Sequence, residues 1–169
     1  MGFLNAIGAL FFTSGDAESN GDGHNGNGEQ REPKSRGTVL AIDDDPSLLN
    51  ALRASLSMAG FNVLTSTSGP KGLDMLRYAQ GGVRVVLLDY NMPNFDGCVT
   101  LDYIRKLSPA SRVIGLTGAD INMIAGRFAT GVDKLITKPF RNQDLLDSID
   151  GFVVSFEEPT VTPVDPKRR

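Results

Sequence analysis

The chain has 169 residues, a net charge of −3, a hydrophobic content of 40% and a single cysteine. That is enough for one ordinary domain with a real core; the charge is too small to argue for nucleic acid, and one cysteine excludes an internal disulfide framework. Cys98 is read as a small buried residue in a reducing, cytoplasmic setting, and the single His24, in a polar Gly-rich stretch, gathers no metal cluster around it.

Residues 1–12 are apolar, with Phe3, Leu4, Ile7, Leu10 and Phe11 able to share one helix face. The run is too short to span a bilayer, lacks a basic leader and a clear cleavage site, and has Ala6 where myristoylation wants Ser or Thr. It is read either as a weak docking peptide for a membrane surface or partner, or as a frayed hydrophobic terminus. Ser14 to Gly37 is Gly, Asn, Asp, Glu and Ser with almost nothing apolar. Such composition cannot offset its ordering entropy, so 1–37 is expected to be a flexible N-terminal segment.

Periodicity begins at Thr38. Thr38–Ile42 is a short buried strand ending at Asp43-Asp44-Asp45. Asp45 is placed to cap a helix with Pro46 in its first turn and Leu49, Leu52, Leu56 and Ala59 on one face, closed by Gly60. Asn62–Ser66 is a second, more polar strand, as an edge strand would be. Gly69–Tyr78 is a helix facing inward through Leu73, Leu76 and Met75. Arg84–Leu88 is a third strand that stops at Asp89, followed at once by the loop Tyr90-Asn91-Met92-Pro93-Asn94-Phe95-Asp96-Gly97. Cys98–Leu107 is a helix with Val99, Leu101 and Ile104 apolar. Arg112–Leu116 is a strand ending at Thr117. Asp120–Ala129 is a weaker helix interrupted by Gly126. Val132–Ile136 is the fifth strand, leading to Lys138-Pro139-Phe140, and Asn142–Val154 is the last helix, with Leu145, Leu146 and Ile149 inward. The remainder, 155–169, carries three prolines and reads as an extended tail, too short for a DNA-binding domain.

Strict strand–helix alternation over 38–154 predicts an α/β fold: a doubly wound five-stranded parallel sheet in the flavodoxin-like order 2-1-3-4-5, with helices on both faces. In that order the strand ends bring Asp43, Asp44, Asp89, Thr117 and Lys138 to one rim. Crowded carboxylates repel and call for a cation; oxygen ligands without His or Cys favour Mg²⁺ over Zn²⁺. A hydroxyl and an ammonium beside them suit phosphate oxygens. The chemistry this predicts is phosphoryl transfer to a carboxylate nucleophile, Asp89.

Val39-Leu40-Ala41-Ile42-Asp43-Asp44-Asp45-Pro46, Leu87-Leu88-Asp89-Tyr90-Asn91-Met92-Pro93 with Asp96-Gly97, Leu116-Thr117-Gly118 and Lys138-Pro139-Phe140 together resemble the receiver domain of two-component response regulators, CheY-like and standing alone. The resemblance covers residues 38–154. It implies that Asp89 accepts phosphate from a sensor histidine kinase or phosphotransfer protein. It implies Asp44, Asp89 and the Asn91 backbone carbonyl as metal ligands, with Asp43 acting through water. It implies phosphate contacts from Thr117, Lys138 and Gly118, a cis Lys138-Pro139 bond, a switch involving Thr117 and position 135, and an unidentified downstream protein target. The family usually has an aromatic residue three positions before the lysine, and this chain departs from that pattern with Leu135. Two rival functions are a receiver-fold scaffold that works without phosphorylation, and a metal-dependent phosphatase using Asp43 and Asp45. The first reading predicts no enzyme activity beyond self-phosphorylation and autodephosphorylation.

Overall fold

The computed structural model describes residues 35–93, 96–120, 123–124 and 126–153. The apolar start, the tether up to residue 34 and the tail expected at 155–169 lie outside the described residues. The elements in order are β1 (Thr38–Ile42), α1 (Pro46–Met58), β2 (Asn62–Ser66), α2 (Gly69–Tyr78), β3 (Val83–Asp89), α3 (Gly97–Leu107), β4 (Arg112–Thr117), α4 (Gly126–Gly131), β5 (Lys134–Thr137) and α5 (Asn142–Val153).

The five strands form one sheet in the order β2-β1-β3-β4-β5, every pair parallel, as the alternation predicted. Successive side chains of a strand point to opposite faces, so each central strand feeds two cores. On one face Leu40, Ile42, Val86, Leu88 and Val113 pack with Leu73 and Leu76 of α2, Leu101 and Ile104 of α3, and Phe128 of α4. On the other, Val39, Ala41, Val85, Leu87, Ile114 and Leu116 pack with Leu49, Leu52 and Leu56 of α1 and Leu145 and Ile149 of α5. This double burial explains why β3 reads as an unbroken apolar run. The Asp45 carboxylate caps α1 by accepting from the Ser47 N–H at 2.8 Å, and Asp96 caps α3 by accepting from the Cys98 N–H at 2.8 Å.

Two elements depart from the sequence pattern. Among the described residues, the helix expected over Asp120–Ala129 corresponds to α4, Gly126–Gly131; ahead of it the Met123 N–H donates to the Asp120 carbonyl at 2.8 Å. The strand expected at Val132–Ile136 starts two residues later. The Val132 N–H donates back to the Phe128 carbonyl at 3.1 Å, finishing α4, while the Asp133 N–H reaches the Val113 carbonyl at 2.8 Å. Regular pairing with β4 begins only at Lys134 opposite Ile114.

Asp133 anchors that junction. Its carboxylate accepts from the Arg105 guanidinium at 2.7 Å, the Arg112 guanidinium at 2.8 Å and the Val113 N–H at 2.8 Å. Arg105 also donates to the Gly131 and Ser111 carbonyls. Burial by itself would raise the Asp133 carboxyl, but the Val113 amide and the two guanidiniums outweigh it and hold the group below its ordinary value of 3.8. A carboxyl depressed in the folded state adds stability above the unfolded value, and this is lost as pH falls through the folded one. Asp133→Asn is therefore expected to lower stability at neutral pH by about 2 kcal/mol. Its melting temperature should also fall less steeply than the wild type's on acidification below pH ~4, as followed by thermal denaturation across pH.

Candidate functional site

Strand register brings the polar residues together. Ile42 of β1 lies opposite Leu88 of β3, so the next residues, Asp43 and Asp89, emerge side by side. Asp89 lies opposite Leu116 of β4, and Thr117 opposite Thr137 of β5, one residue before Lys138. The Lys138 N–H donates to the Thr117 carbonyl at 2.6 Å, tying the end of β5 to that of β4, and the Lys138–Pro139 peptide bond is cis.

Asp43, Asp44 and Asp89 each offer a carboxylate oxygen within 4.8 Å of the others. Asp43 and Asp89 are buried, with 1% and 3% of their surfaces exposed, whereas Asp44 faces solvent. Lys138 reaches over from β5 and donates from Nζ to Asp43 Oδ2 at 2.6 Å and to Asp89 Oδ1 at 2.7 Å. The other Asp43 oxygen accepts from the Asp45 N–H at 2.9 Å, which orients it toward the lysine. Burial raises the Asp89 carboxyl above its ordinary value; Lys138 offsets part of this, the Asp43 charge adds to it, and the Asn91 backbone N–H lowers it. Burial lowers the Lys138 ammonium, but the two carboxylates outweigh it and leave the group raised, so the lysine stays charged.

The other residues singled out from sequence surround this centre in different ways. Thr117 is fully buried, and its Oγ1 accepts from the Ala119 N–H at 3.0 Å. Gly118 is exposed, and a Cβ built on it would meet nothing within 4 Å, so that side of the rim is open. Asn91 joins through its backbone. Leu135 lies in β5 and packs, partly buried, on the core that includes Phe128 of α4. Asp45 is the α1 cap.

Two features escaped the sequence reading. A Cβ on Gly97 would lie 2.7 Å from the Asp89 carbonyl oxygen and 2.9 Å from Tyr90 Cα, so α3 can start this close to the acidic loop only with glycine there. The Asp96-Gly97 pair was visible in the sequence, but its reason was not. The second is an aromatic pair, Tyr90 and Phe128, with centroids 4.9 Å apart and planes at 54°. No local spacing links residues 38 positions apart. Gly97→Ala is expected to push α3 off the Asp89–Tyr90 backbone, costing about 1–3 kcal/mol by analogy with overpacking; chemical denaturation measures it, and an unchanged midpoint would contradict the close approach.

A family model for the response regulator receiver domain matches residues 39–150. The chain is 34% identical over 113 residues to the transcriptional regulatory protein CpxR of Escherichia coli (strain K12), covering 66% of this chain and 47% of that one. It is 36% identical over 113 residues to the CpxR homolog of Haemophilus influenzae, with coverages of 66% and 48%. It thus spans about half the length of these curated relatives. In three dimensions it is similar to a response regulator receiver domain protein from Clostridium thermocellum, with a TM-score of 0.65, 30% identity, and coverage of 70% of this chain and 95% of that one. A CheY-like receiver domain protein from Methanospirillum hungatei JF-1 gives a TM-score of 0.64 at 26% identity, with coverages of 70% and 94%. With the family match running through the whole five-stranded sheet and its acidic rim, this chain belongs to the receiver domain family of two-component response regulators.

Proposed function

We propose that this receiver takes a phosphoryl group onto Asp89 from a phosphohistidine on a sensor kinase or phosphotransfer protein, and signals through the resulting change in partner binding. The observation that carries this is the Lys138 ammonium held between Asp43 and Asp89 at 2.6 and 2.7 Å, inside a cluster of three carboxylates. Such a centre has a nucleophile, a fixed cation and a place for a second one.

The donor set fits Mg²⁺: carboxylate oxygens without imidazole or thiolate, one of them on exposed Asp44. Asp44, Asp89 and the Asn91 backbone carbonyl would hold the ion, with Asp43 acting through water. When bound, it supplies positive charge to the phosphoryl oxygens. An Asp89 carboxylate oxygen forms the new O–P bond as the P–N bond of the donor breaks, and the electron pair leaves with the imidazole nitrogen. Lys138, already at Asp89 Oδ1, neutralises charge on the transferred group, Thr117 turns its hydroxyl toward it, and open Gly118 leaves room. Nothing else is transformed, so the chain acts as a switch and not as an enzyme on an outside substrate.

The rival phosphatase reading needs Asp45 free as an acid, and its carboxylate is occupied as the α1 cap. A scaffold indifferent to phosphorylation is motivated by Leu135 and is separated from the switch by partner affinity with and without a phosphoryl mimic. The curated relatives are named transcriptional regulators. No helix among the described residues is long and apolar enough to cross a membrane.

Incubation with a small phosphodonor and Mg²⁺ should add one phosphoryl mass to the wild type and none to Asp89→Asn; equal labelling of both would remove the proposal. Mg²⁺ alone should raise the melting temperature of the wild type, and of Asp44→Ala much less. Ala119 offers no polar side chain to position an attacking water. The phosphorylated form is therefore expected to last minutes or longer, and a half-life of seconds, read by the same mass measurement, would contradict this.

A further inference from the structure

The turn between β1 and α1 is held by two successive hydrogen bonds from main chain to side chain. Asp43 Oδ1 accepts from the Asp45 N–H at 2.9 Å, and Asp45 Oδ1 accepts in turn from the Ser47 N–H at 2.8 Å. Pro46, in the first turn of α1, has no N–H to offer, so Ser47 is the first donor of the helix that a cap can reach. The Asp45 carbonyl then accepts from the Leu49 N–H at 3.1 Å, which starts the helix. On the other side, the Asp43 N–H donates to the Ser66 carbonyl at the end of β2 at 3.1 Å, and Asp43 Oδ2 accepts from Lys138. Asp43 and Asp45 are thus both fixed, and Asp44 stands between them. Asp44 is the exposed member of the three clustered carboxylates, with an oxygen within 4.8 Å of the others. The backbone that aims it is the backbone that the Asp45 cap secures.

We propose that Asp45 is a positioning residue for the metal centre: its carboxylate, by capping α1, holds the 43–47 turn that presents Asp43 and Asp44 beside Asp89. The inference rests on the reading above that this rim binds Mg²⁺ for phosphoryl transfer. It gives a role to the one aspartate of the Asp43-Asp44-Asp45 run that stands outside the cluster. Mg²⁺ demands near-ideal placement of its oxygen ligands, so a turn that wanders loses affinity even when every ligand is present. Groups that orient metal ligands typically contribute about 10–100-fold in metal affinity. Two ways for Asp45 to act are separable. A nearby charge would draw the cation whatever the cap does. A cap acts through the Ser47 N–H and needs no charge, because Asn and Ser cap about as well as Asp. The geometry favours the cap, since the Asp45 carboxylate is turned to Ser47 and is not among the clustered oxygens of Asp43, Asp44 and Asp89.

The test is Mg²⁺ titration of the full chain by calorimetry, accompanied by thermal denaturation and by amide hydrogen exchange at residue 45 without the ion. Asp45→Ala should weaken Mg²⁺ binding about tenfold. Its residue-45 amide should exchange about fivefold faster than the wild type's in the metal-free protein. Asp45→Asn and Asp45→Ser, which cap without a charge, should bind Mg²⁺ within about twofold of the wild type. Asp45→Glu, which keeps the charge on a side chain one methylene longer, should bind as weakly as Asp45→Ala and stands in if that variant does not fold. Ala54→Gly, at an exposed position in the middle of α1, loosens the helix without touching its cap; it should lower the melting temperature and leave Mg²⁺ affinity unchanged. Wild-type affinity in Asp45→Ala, affinity in Asp45→Asn as poor as in Asp45→Ala, or an equal loss in Ala54→Gly would each overturn this inference and leave the phosphoacceptor reading standing. No Mg²⁺ binding by the wild type would overturn the metal-assisted reading and this inference together.

Discussion

The arrangement at the rim depends on one cation shared by two buried carboxylates. Asp43 and Asp89 emerge from neighbouring strands at nearly full burial, a placement that two like charges would not tolerate unaided. The Lys138 ammonium resolves the conflict by donating to both at hydrogen-bonding distance. Because it comes from the end of β5, three strands away from β1 in the sheet order, the contact spans the rim. Removing Lys138 would leave two buried carboxylates without the cation that compensates them.

Everything that delivers those groups is register. A parallel sheet buried on both faces has no freedom to slip by one residue without turning two cores inside out. Val39 and Ala41 belong to one core and Leu40 and Ile42 to the other, so the position of Asp43 at the end of β1 follows from hydrophobic packing several residues away. The same holds for Asp89 after Leu88 and for Thr117 after Leu116. Polar chemistry is thus aligned by apolar contacts, and the loop behind Asp89 is pressed into place by an α3 that starts at a glycine because nothing larger fits.

Helix α4 is built differently from its neighbours α2 and α3. It is short, mostly exposed and held by one phenylalanine, and the turn into β5 is secured by polar contacts around Asp133.

Much of this was legible in the chain itself. Alternating strand and helix patterns specified the parallel sheet and its order, since short apolar runs alternating with period-3.6 helices leave few other solutions. Carboxylates, a threonine and a lysine at the ends of apolar strands were readable for the same reason. The edges of α4 and β5 were not, because hydrogen bonds from Val132 and Asp133 to residues 4 and 20 positions away, not local propensity, decide where helix stops and strand begins. Nor could any spacing reveal that Lys138 bridges Asp43 and Asp89, that Gly97 makes room for the Asp89 loop, or that Phe128 meets Tyr90 across a notch at Gly115. Hydrophobic periodicity is a local property of the chain and determined the elements and their inventory of chemical groups; which groups touch is a property of the packed sheet, and only the tertiary structure decided it.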